Sequence, residues 1–479
     1  MPNKKRNHQE FRQTMDAEKH PPPDYVTFLA GKAPKSIPCG VDPGPMNDVL
    51  FDYQRAATAF CIKQGRAALF LDTGLGKTIC ELEFATQCAA ASNGMALLLT
   101  PLAVARQIER EAARFGYNAR VIREMDEAKP GINICNYDRL DKLDPGAFGC
   151  VVLDESSILK NFSGKTTRAL IEQFANTPYR LCASATPAPN DHVELGTHAE
   201  FLGIMPQSDM LIRWFINDSK DTGTWRLKGH ARASFWDWMS SWAIMATSPA
   251  DLGFDGSRHV LPPMNVHRHR AIGEVKPMDG ALFMADVSAT NMYEVKRQTT
   301  QARADAVAAL IAADPDENWV IWCDTDIESA SLASVLPDAV EVRGSLDPDK
   351  KEARIASFSE GLKKQIITKS GITGLGLNWQ HAARMVFVGR SFSYEAWYQA
   401  VRRCWRFGQT RPVDVHIIVA EGEDQIGRVI DRKAAAHADM KAEMIAASRR
   451  NVMASSSMRV KYNPTYQGRM PKWLVSCAA

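Results

Sequence analysis

A chain of 479 residues is too long for one ordinary core and implies two to four domains. Its 45% hydrophobic and 24% charged residues, with a formal net charge of +3, exclude a disordered polyelectrolyte and a histone-like polycation. The charge is uneven, because residues 444–479 carry six basic side chains and no acidic one. The ten cysteines form no CxxC pair and no Cys/His cluster at zinc-ligand spacing, so reduced thiols are expected rather than a disulfide framework or a metal site. No apolar run approaches the roughly 18–20 residues that span a bilayer, and the basic N-terminus lacks a signal-type apolar segment. The expected location is cytoplasmic, with no membrane partner.

In chain order, residues 1–48 read as a flexible arm. They hold Pro21, Pro22, Pro23, Pro34, Pro38, Pro43 and Pro45 and too little apolar periodicity to offset ordering entropy. Residues 49–203 alternate short apolar runs (67–71, 95–100, 132–136, 150–153, 180–184) with helical stretches, which predicts an α/β domain with buried parallel strands. Residues 204–264 break the alternation. Trp214, Trp225, Trp236, Trp238 and Trp242 crowd into this stretch with Arg213, Lys220, Arg226, Lys228 and Arg232. It reads as a small helical insertion whose rings either pack on one another or act as a wedge against exposed bases. A second α/β domain is predicted over 265–435, with strands at 319–323, 340–343, 365–368, 385–388 and 413–419. Residues 436–479 read as a basic tail in which Tyr462, Tyr466 and Trp473 alternate with Arg459, Lys461, Arg469 and Lys472. That tail is either a nucleic-acid arm or a solvated terminus pinned by its aromatic rings.

The sharpest local signal is Leu71-Asp72-Thr73-Gly74-Leu75-Gly76-Lys77-Thr78, between an apolar strand and a helix. Glycines let a backbone approach phosphate, and the N–H groups of a helix start face an anion. Thr73, Gly74, Leu75, Gly76, Lys77 and Thr78 are therefore the candidate nucleotide-binding loop, with Lys77 on the β- and γ-phosphates and the Thr78 hydroxyl on magnesium. The general pattern has Gly where this chain has Leu71. The strand 150–153 runs into Asp154-Glu155, which places one carboxylate on magnesium (Asp154) and the next beside the attacking water as general base (Glu155).

The order of these motifs resembles that of superfamily-2 helicase motors, and within them the Swi/Snf-type DNA translocases, in size the compact form that phages and prophages encode. Phe51-Asp52-Tyr53-Gln54 resembles the glutamine motif, which makes Gln54 the adenine contact. Thr100-Pro101 resembles a motif on the nucleic-acid backbone, and Asn136-Tyr137-Asp138 the element that follows it. Asp154-Glu155-Ser156-Ser157-Ile158-Leu159-Lys160-Asn161 resembles Asp-Glu-x-His-x-x-Lys-Asn, with Ser157 where His is usual. Ser184-Ala185-Thr186-Pro187 resembles the motif that couples hydrolysis to movement. Residues 369–379 resemble the fifth motif, with Gly374, Gly376 and Asn378, and residues 399–409 resemble Gln-Ala-x-x-Arg-x-x-Arg-x-Gly-Gln. Arg402, Trp405 and Gly371 depart from the family's usual residues.

The resemblance implies two tandem RecA-like domains with ATP and magnesium in the cleft between them. Lys77, Glu155, Gln399 and the arginine fingers Arg403 and Arg406 become catalytic; Ser184, Thr186, Gly374 and Gly376 become coupling residues. Thr100, Lys160, Asn161, Ser370 and Asn378 become DNA contacts. The implied activity is ATP hydrolysis driving movement on duplex DNA by a monomer, nucleoid-associated in a bacterial or phage-infected cell, with a replication or recombination protein as a possible partner. An ATP-gated clamp or partner-protein remodeller, an RNA helicase and, lower in rank, a nucleotide kinase remain as alternatives.

Overall fold

The computed structural model describes residues 36–101, 104–217, 225–271, 297–373, 377–389, 391, 393–419 and 424–457. The first half builds on nine strands: β1 (Arg66–Leu71), β2 (Met95–Thr100), β3 (Ala119–Val121), β4 (Gly131–Asn136), β5 (Cys150–Asp154), β6 (Tyr179–Ala183), a hairpin of β7 (Phe215–Asn217) and β8 (Trp225–Leu227), and β9 (Ala243–Ala246). Seven of them form one parallel sheet in the order β3-β4-β2-β5-β6-β1-β9. Its central strands are apolar on both faces because both are covered. Leu97, Leu99, Val151 and Leu153 enter one core, and Ala96, Leu98, Cys150 and Val152 the other.

The second half repeats the plan with β10 (Met264–Arg270), β11 (Trp319–Cys323), β12 (Val340–Val342), β13 (Gln365–Lys369), β14 (Arg384–Phe387) and β15 (Val413–Val419). All are parallel, in the order β10-β15-β14-β11-β13-β12. Val320 and Trp322 face one core, Trp319 and Ile321 the other. The expected α/β architecture of two tandem parallel sheets is therefore present. Among the described residues no helix is long and apolar enough to cross a membrane.

The helices that matter for the site are α1 (Asp52–Gln64), α2 (Lys77–Ala90), α3 (Ala105–Arg114) and α4 (Lys165–Gln173) in the first half. Next comes α5 (Leu195–Leu202), and the tryptophan-rich stretch carries α6 (Gln207–Trp214) and α7 (Arg232–Ser240). The second half carries α8 (Thr300–Ala313), α9 (Asp326–Val335), α10 (Pro348–Ser359), α11 (Ser370–Thr373) and α12 (Tyr394–Val401), and the chain ends in α13 (Asp424–Ser457).

The structure adds detail to three stretches. The small tryptophan-rich insertion is tied to the first sheet, since β9 pairs with β1 as the sheet's edge strand. Trp214 and Trp238 stack at 4.6 Å, Trp242 meets Trp238 edge-on at 5.4 Å, and all three are buried in the first-half core. Rings that fill a core cannot stack on bases, so for these residues packing replaces the wedge. The described part of the tail, 436–457, belongs to α13. Met440, Met444 and Ala447, spaced as one helical face, enter the tryptophan-lined core, while Glu443 pairs with Arg232 at 2.6 Å. Arg459, Lys461, Arg469, Lys472 and the aromatic residues between them lie outside the described residues. The described part of the arm is also anchored: the N–H groups of Cys39, Gly40 and Val41 bond the carbonyls of Gln64, Lys63 and Ile62 at 3.1–3.2 Å.

Trp238 joins the tryptophan stack to the first sheet's core. Trp238→Ala is expected to lower unfolding free energy by about 3–5 kcal/mol. Trp225→Ala, at a half-buried ring, is expected to cost clearly less. Urea denaturation of both variants checks the order.

Candidate active site

In the first sheet β2, β5, β6 and β1 are neighbours, and being parallel they end on the same edge. That edge gathers Thr100, Asp154-Glu155, Ser184 and the loop after Leu71, the place where open α/β sheets bind ligands. The loop turns through Gly74 (φ 91°) and Gly76 (φ 74°), left-handed conformations that suit glycine. Gly76 is the N-cap of α2, so Lys77 and Thr78 open a 14-residue helix whose free N–H groups face the loop. The Lys77 ammonium donates to Leu71 O at 3.0 Å, spanning the loop at the residue that departs from the glycine pattern.

The predicted adenine residue grips the loop from outside. Gln54 Nε2 and the Tyr53 hydroxyl both donate to Leu75 O at 2.9 Å, and Gln54 Oε1 accepts from Phe51 N. Beside them His259 stacks on Phe407 with centroids 4.4 Å apart and meets Tyr53 edge-on. Phe407, from the second half, leaves no room at Gly74: a Cβ there would lie 2.9 Å from the Phe407 Cβ.

Asp154 is buried, and Thr100 donates its hydroxyl to Asp154 Oδ2 at 2.7 Å. Thr100 is itself fully buried, so it orients this carboxylate and does not face a nucleic-acid backbone, as the resemblance had implied. Tyr137, of the Asn-Tyr element, donates to Asp154 O at 2.7 Å. Burial first, then the neighbouring Glu155 charge, push the Asp154 carboxyl up to about 6, against the pull of Thr100 and Lys77. Glu155 has φ 53°, unique among described non-glycine residues, a strained position that aims its side chain. Ser184 Oγ donates to Glu155 Oε2 at 3.3 Å and accepts from Thr186 N at 3.0 Å, which links two of the four expected coupling residues, Thr186 through Ser184, to the expected base.

Across the cleft, one face of α12 meets the loop. Glu395 pairs with Lys160, Tyr398 donates its hydroxyl to Asp72, and Arg402 just beyond the helix lies 3.2 Å from Asp72 and donates to Thr73 O at 2.8 Å. Lys160, expected on DNA, is thus committed to an ion pair between the halves. Arg403 and Arg406 stand behind this face, both donating to Leu377 O at 3.0 and 3.2 Å, with Arg403 also bonded to Gln399 O. Burial and the adjacent Arg406 lower Arg403 to about 10, opposed by the Glu155 carboxylate, so Arg403 and Glu155 feel each other's charge. The Gln399 side chain bonds Glu395 at 3.4 Å. Ser370 is half-buried at the start of α11, Asn161 and Asn378 are exposed, and Gly374 and Gly376 lie outside the described residues.

Several participants escaped sequence reasoning. Glu395, Tyr398 and Arg402 lie at helical spacing, and nothing in the chain marks Lys160 and Asp72 as their partners. Glu81, one turn after Lys77, is fully buried with neither carboxylate oxygen bonded. Burial first, then Asp154, push it well above the usual carboxylate range. His198 of α5 reaches Ser156 Oγ at 3.2 Å, bringing an imidazole to the acidic loop where the family pattern would have its own at Ser157. Burial holds His198 down to about 4, hence neutral.

Residues 302–408 match the family model "Helicase conserved C-terminal domain". The chain is 31% identical over 171 residues to the SWI/SNF-related matrix-associated actin-dependent regulator of chromatin subfamily A-like protein 1 of Bos taurus, covering 33% of this chain and 17% of that protein. It is 26% identical over 123 residues to the TATA-binding protein-associated factor mot1 of Schizosaccharomyces pombe, covering 24% of this chain and 6% of that one. It therefore spans less than a fifth of the length of either curated relative. The solved Sulfolobus solfataricus SWI2/SNF2 ATPase core in complex with dsDNA aligns over 87% of this chain and 97% of its own, with 17% identity and a TM-score of 0.40.

A Cβ at Gly76 would lie 2.3 Å from Gln54 Nε2, on a backbone that side chains avoid. Gly76→Ala is expected to lower affinity for an ATP analogue by more than about tenfold while thermal unfolding stays cooperative. Isothermal titration and a melting curve on the same sample check both outcomes.

Proposed function

We propose that this chain is an ATP hydrolase of the superfamily-2 helicase type with a Swi/Snf-like core, which couples hydrolysis to movement along duplex DNA. The observation that carries the reading is convergence on one cleft of a phosphate loop, a strand-end Asp-Glu pair and three arginines from a second parallel-sheet domain. Similarity to the Swi/Snf-related bovine protein, and the Lys160-Asn161 and Gly408-Gln409 elements, support the DNA-translocase branch over an RNA helicase.

The chemistry follows from the residues. Gly74 and Gly76 bring the backbone and the α2 N-terminus against the phosphates, and Lys77 exchanges Leu71 O for a phosphate oxygen. Thr78 and Asp154 offer oxygen donors only, which is the set magnesium takes, and a carboxyl destabilised by burial and by Glu155 is one a divalent cation would hold ionised. Bound there, magnesium would neutralise charge on the β- and γ-phosphates. Glu155 draws a proton from the attacking water, and its bond to Ser184 reports the state of the γ-phosphate to Thr186. Arg403 and Arg406, released from Leu377 O, stabilise the transferring group. Loss of the bridging γ-phosphate favours an open cleft, and alternating grip by the two halves converts opening and closing into steps.

The test is turnover with duplex DNA, single-stranded DNA and RNA. Duplex DNA is expected to stimulate most. Glu155→Gln is expected to keep nucleotide binding and lose about 10²–10⁴ in turnover, whereas Lys77→Ala loses both. Full activity of Lys77→Ala, or preferential stimulation by RNA, would sink the reading.

A further inference from the structure

Asp72 precedes the glycines of the loop, and no role in nucleotide contact requires it. Its carboxylate is nevertheless buried and held by four groups, three of them distant in sequence. Thr73 N donates to Oδ1 at 2.7 Å; the Tyr398 hydroxyl donates to the same oxygen, and Arg402 lies 3.2 Å from it. Lys441 of α13 approaches Oδ2 at 3.5 Å, donates to the Tyr398 hydroxyl at 3.0 Å and lies 4.7 Å over the Tyr398 ring. Arg402 makes a second bond to the loop at Thr73 O. Backbone polar groups of the loop's entry are thus fixed from outside, by the second domain and by the C-terminal helix together.

Charge balance gives this arrangement a direction. One carboxylate cannot neutralise both Arg402 and Lys441, so a positive charge is left over at the loop. α13 leaves the second domain after β15, yet it is seated on the first-domain core by Met440 and Met444, the residues that flank Lys441. Lys441 therefore registers whether that helix is docked.

We propose that Asp72, Tyr398, Arg402 and Lys441 form a clasp through which docking of the C-terminal helix sets the affinity of the phosphate loop for polyphosphate nucleotides. Arg402 and Lys441 are positioning residues that act on the loop through Asp72. The clasp rests on the reading of residues 71–78 as a nucleotide loop and adds to it a regulator outside the expected motifs. Within it, the leftover charge favours nucleoside di- and triphosphates and is indifferent to the nucleoside.

The experiment measures binding of a fluorescent ADP analogue, a non-hydrolysable ATP analogue and adenosine to the full chain. Lys441→Met keeps the aliphatic stem and removes the charge; it is expected to weaken both nucleotides about five- to tenfold without changing adenosine binding. Lys441→Arg is expected to restore affinity to within about twofold of the parent. In the double variant Asp72→Asn with Lys441→Met, the second change is expected to add little, because both act through one network. Parental affinity in Lys441→Met, or full additivity in the double variant, overturns the clasp. Lys77→Ala separates the two failures. If it loses binding while Lys441→Met does not, only the clasp falls. If it binds as the parent does, the nucleotide loop itself falls and the clasp with it.

Discussion

A carboxylate taken out of water must be paired, and Asp72 finds its charged partners in Arg402 across the cleft and in Lys441 of α13. Burial alone would raise its pKa, but Lys441, Arg402, the Tyr398 hydroxyl and the Thr73 N–H bring it down to about 2, against an ordinary 3.8. The stability this gives the folded state is present above the ordinary value and is lost only as pH falls from 3.8 towards about 2. Between those groups the two parallel-sheet domains are brought into register. The same α12 face sets Glu395 against Lys160, and the segment after it sets Phe407 against Gly74. Since a buried ion pair broken on one side leaves a charge uncompensated, the described contacts favour a closed cleft with few intermediate positions.

Much of this was legible in the sequence, for physical reasons. Strands buried on both faces of a parallel sheet are continuous apolar runs, and the predicted runs at 95–100, 319–323 and 413–419 coincide with β2, β11 and β15. The glycine loop after β1 announces itself because few residues other than glycine adopt the backbone of Gly74 and Gly76. What was hidden lacked those signatures. β10 reads Met-Asn-Val-His-Arg-His-Arg, an edge strand too polar to stand out, and β9 is four residues long among tryptophans that suggested a separate module. α13 is rich in alanine and charge, so its sparse apolar face was lost inside a segment that composition labelled a tail.

Side-chain roles were less legible than backbone roles, because they depend on which elements meet. Thr100 sits at the end of its strand as expected, but β2 lies beside β5, so its hydroxyl turns to Asp154. Lys160 and Arg402 each gain a partner more than 200 residues away in the chain. His198 reaches the acidic loop from a helix that carries no motif. The strained Glu155 and the unbonded, buried Glu81 lie at the same edge, so the site departs from local structural preference where chemistry is concentrated.

The central claim is that nucleotide sets the distance between the two domains. Cys39 is exposed on the first domain while the other described cysteines are buried, and Glu360 is exposed on the second. With Cys477→Ser and Glu360→Cys, dyes on positions 39 and 360 report that distance by single-molecule energy transfer. The account predicts a short-distance state with a non-hydrolysable ATP analogue, a longer one with ADP, and no nucleotide-dependent change in Lys77→Ala. One fixed distance throughout, in a protein that is hydrolysing ATP, would contradict it.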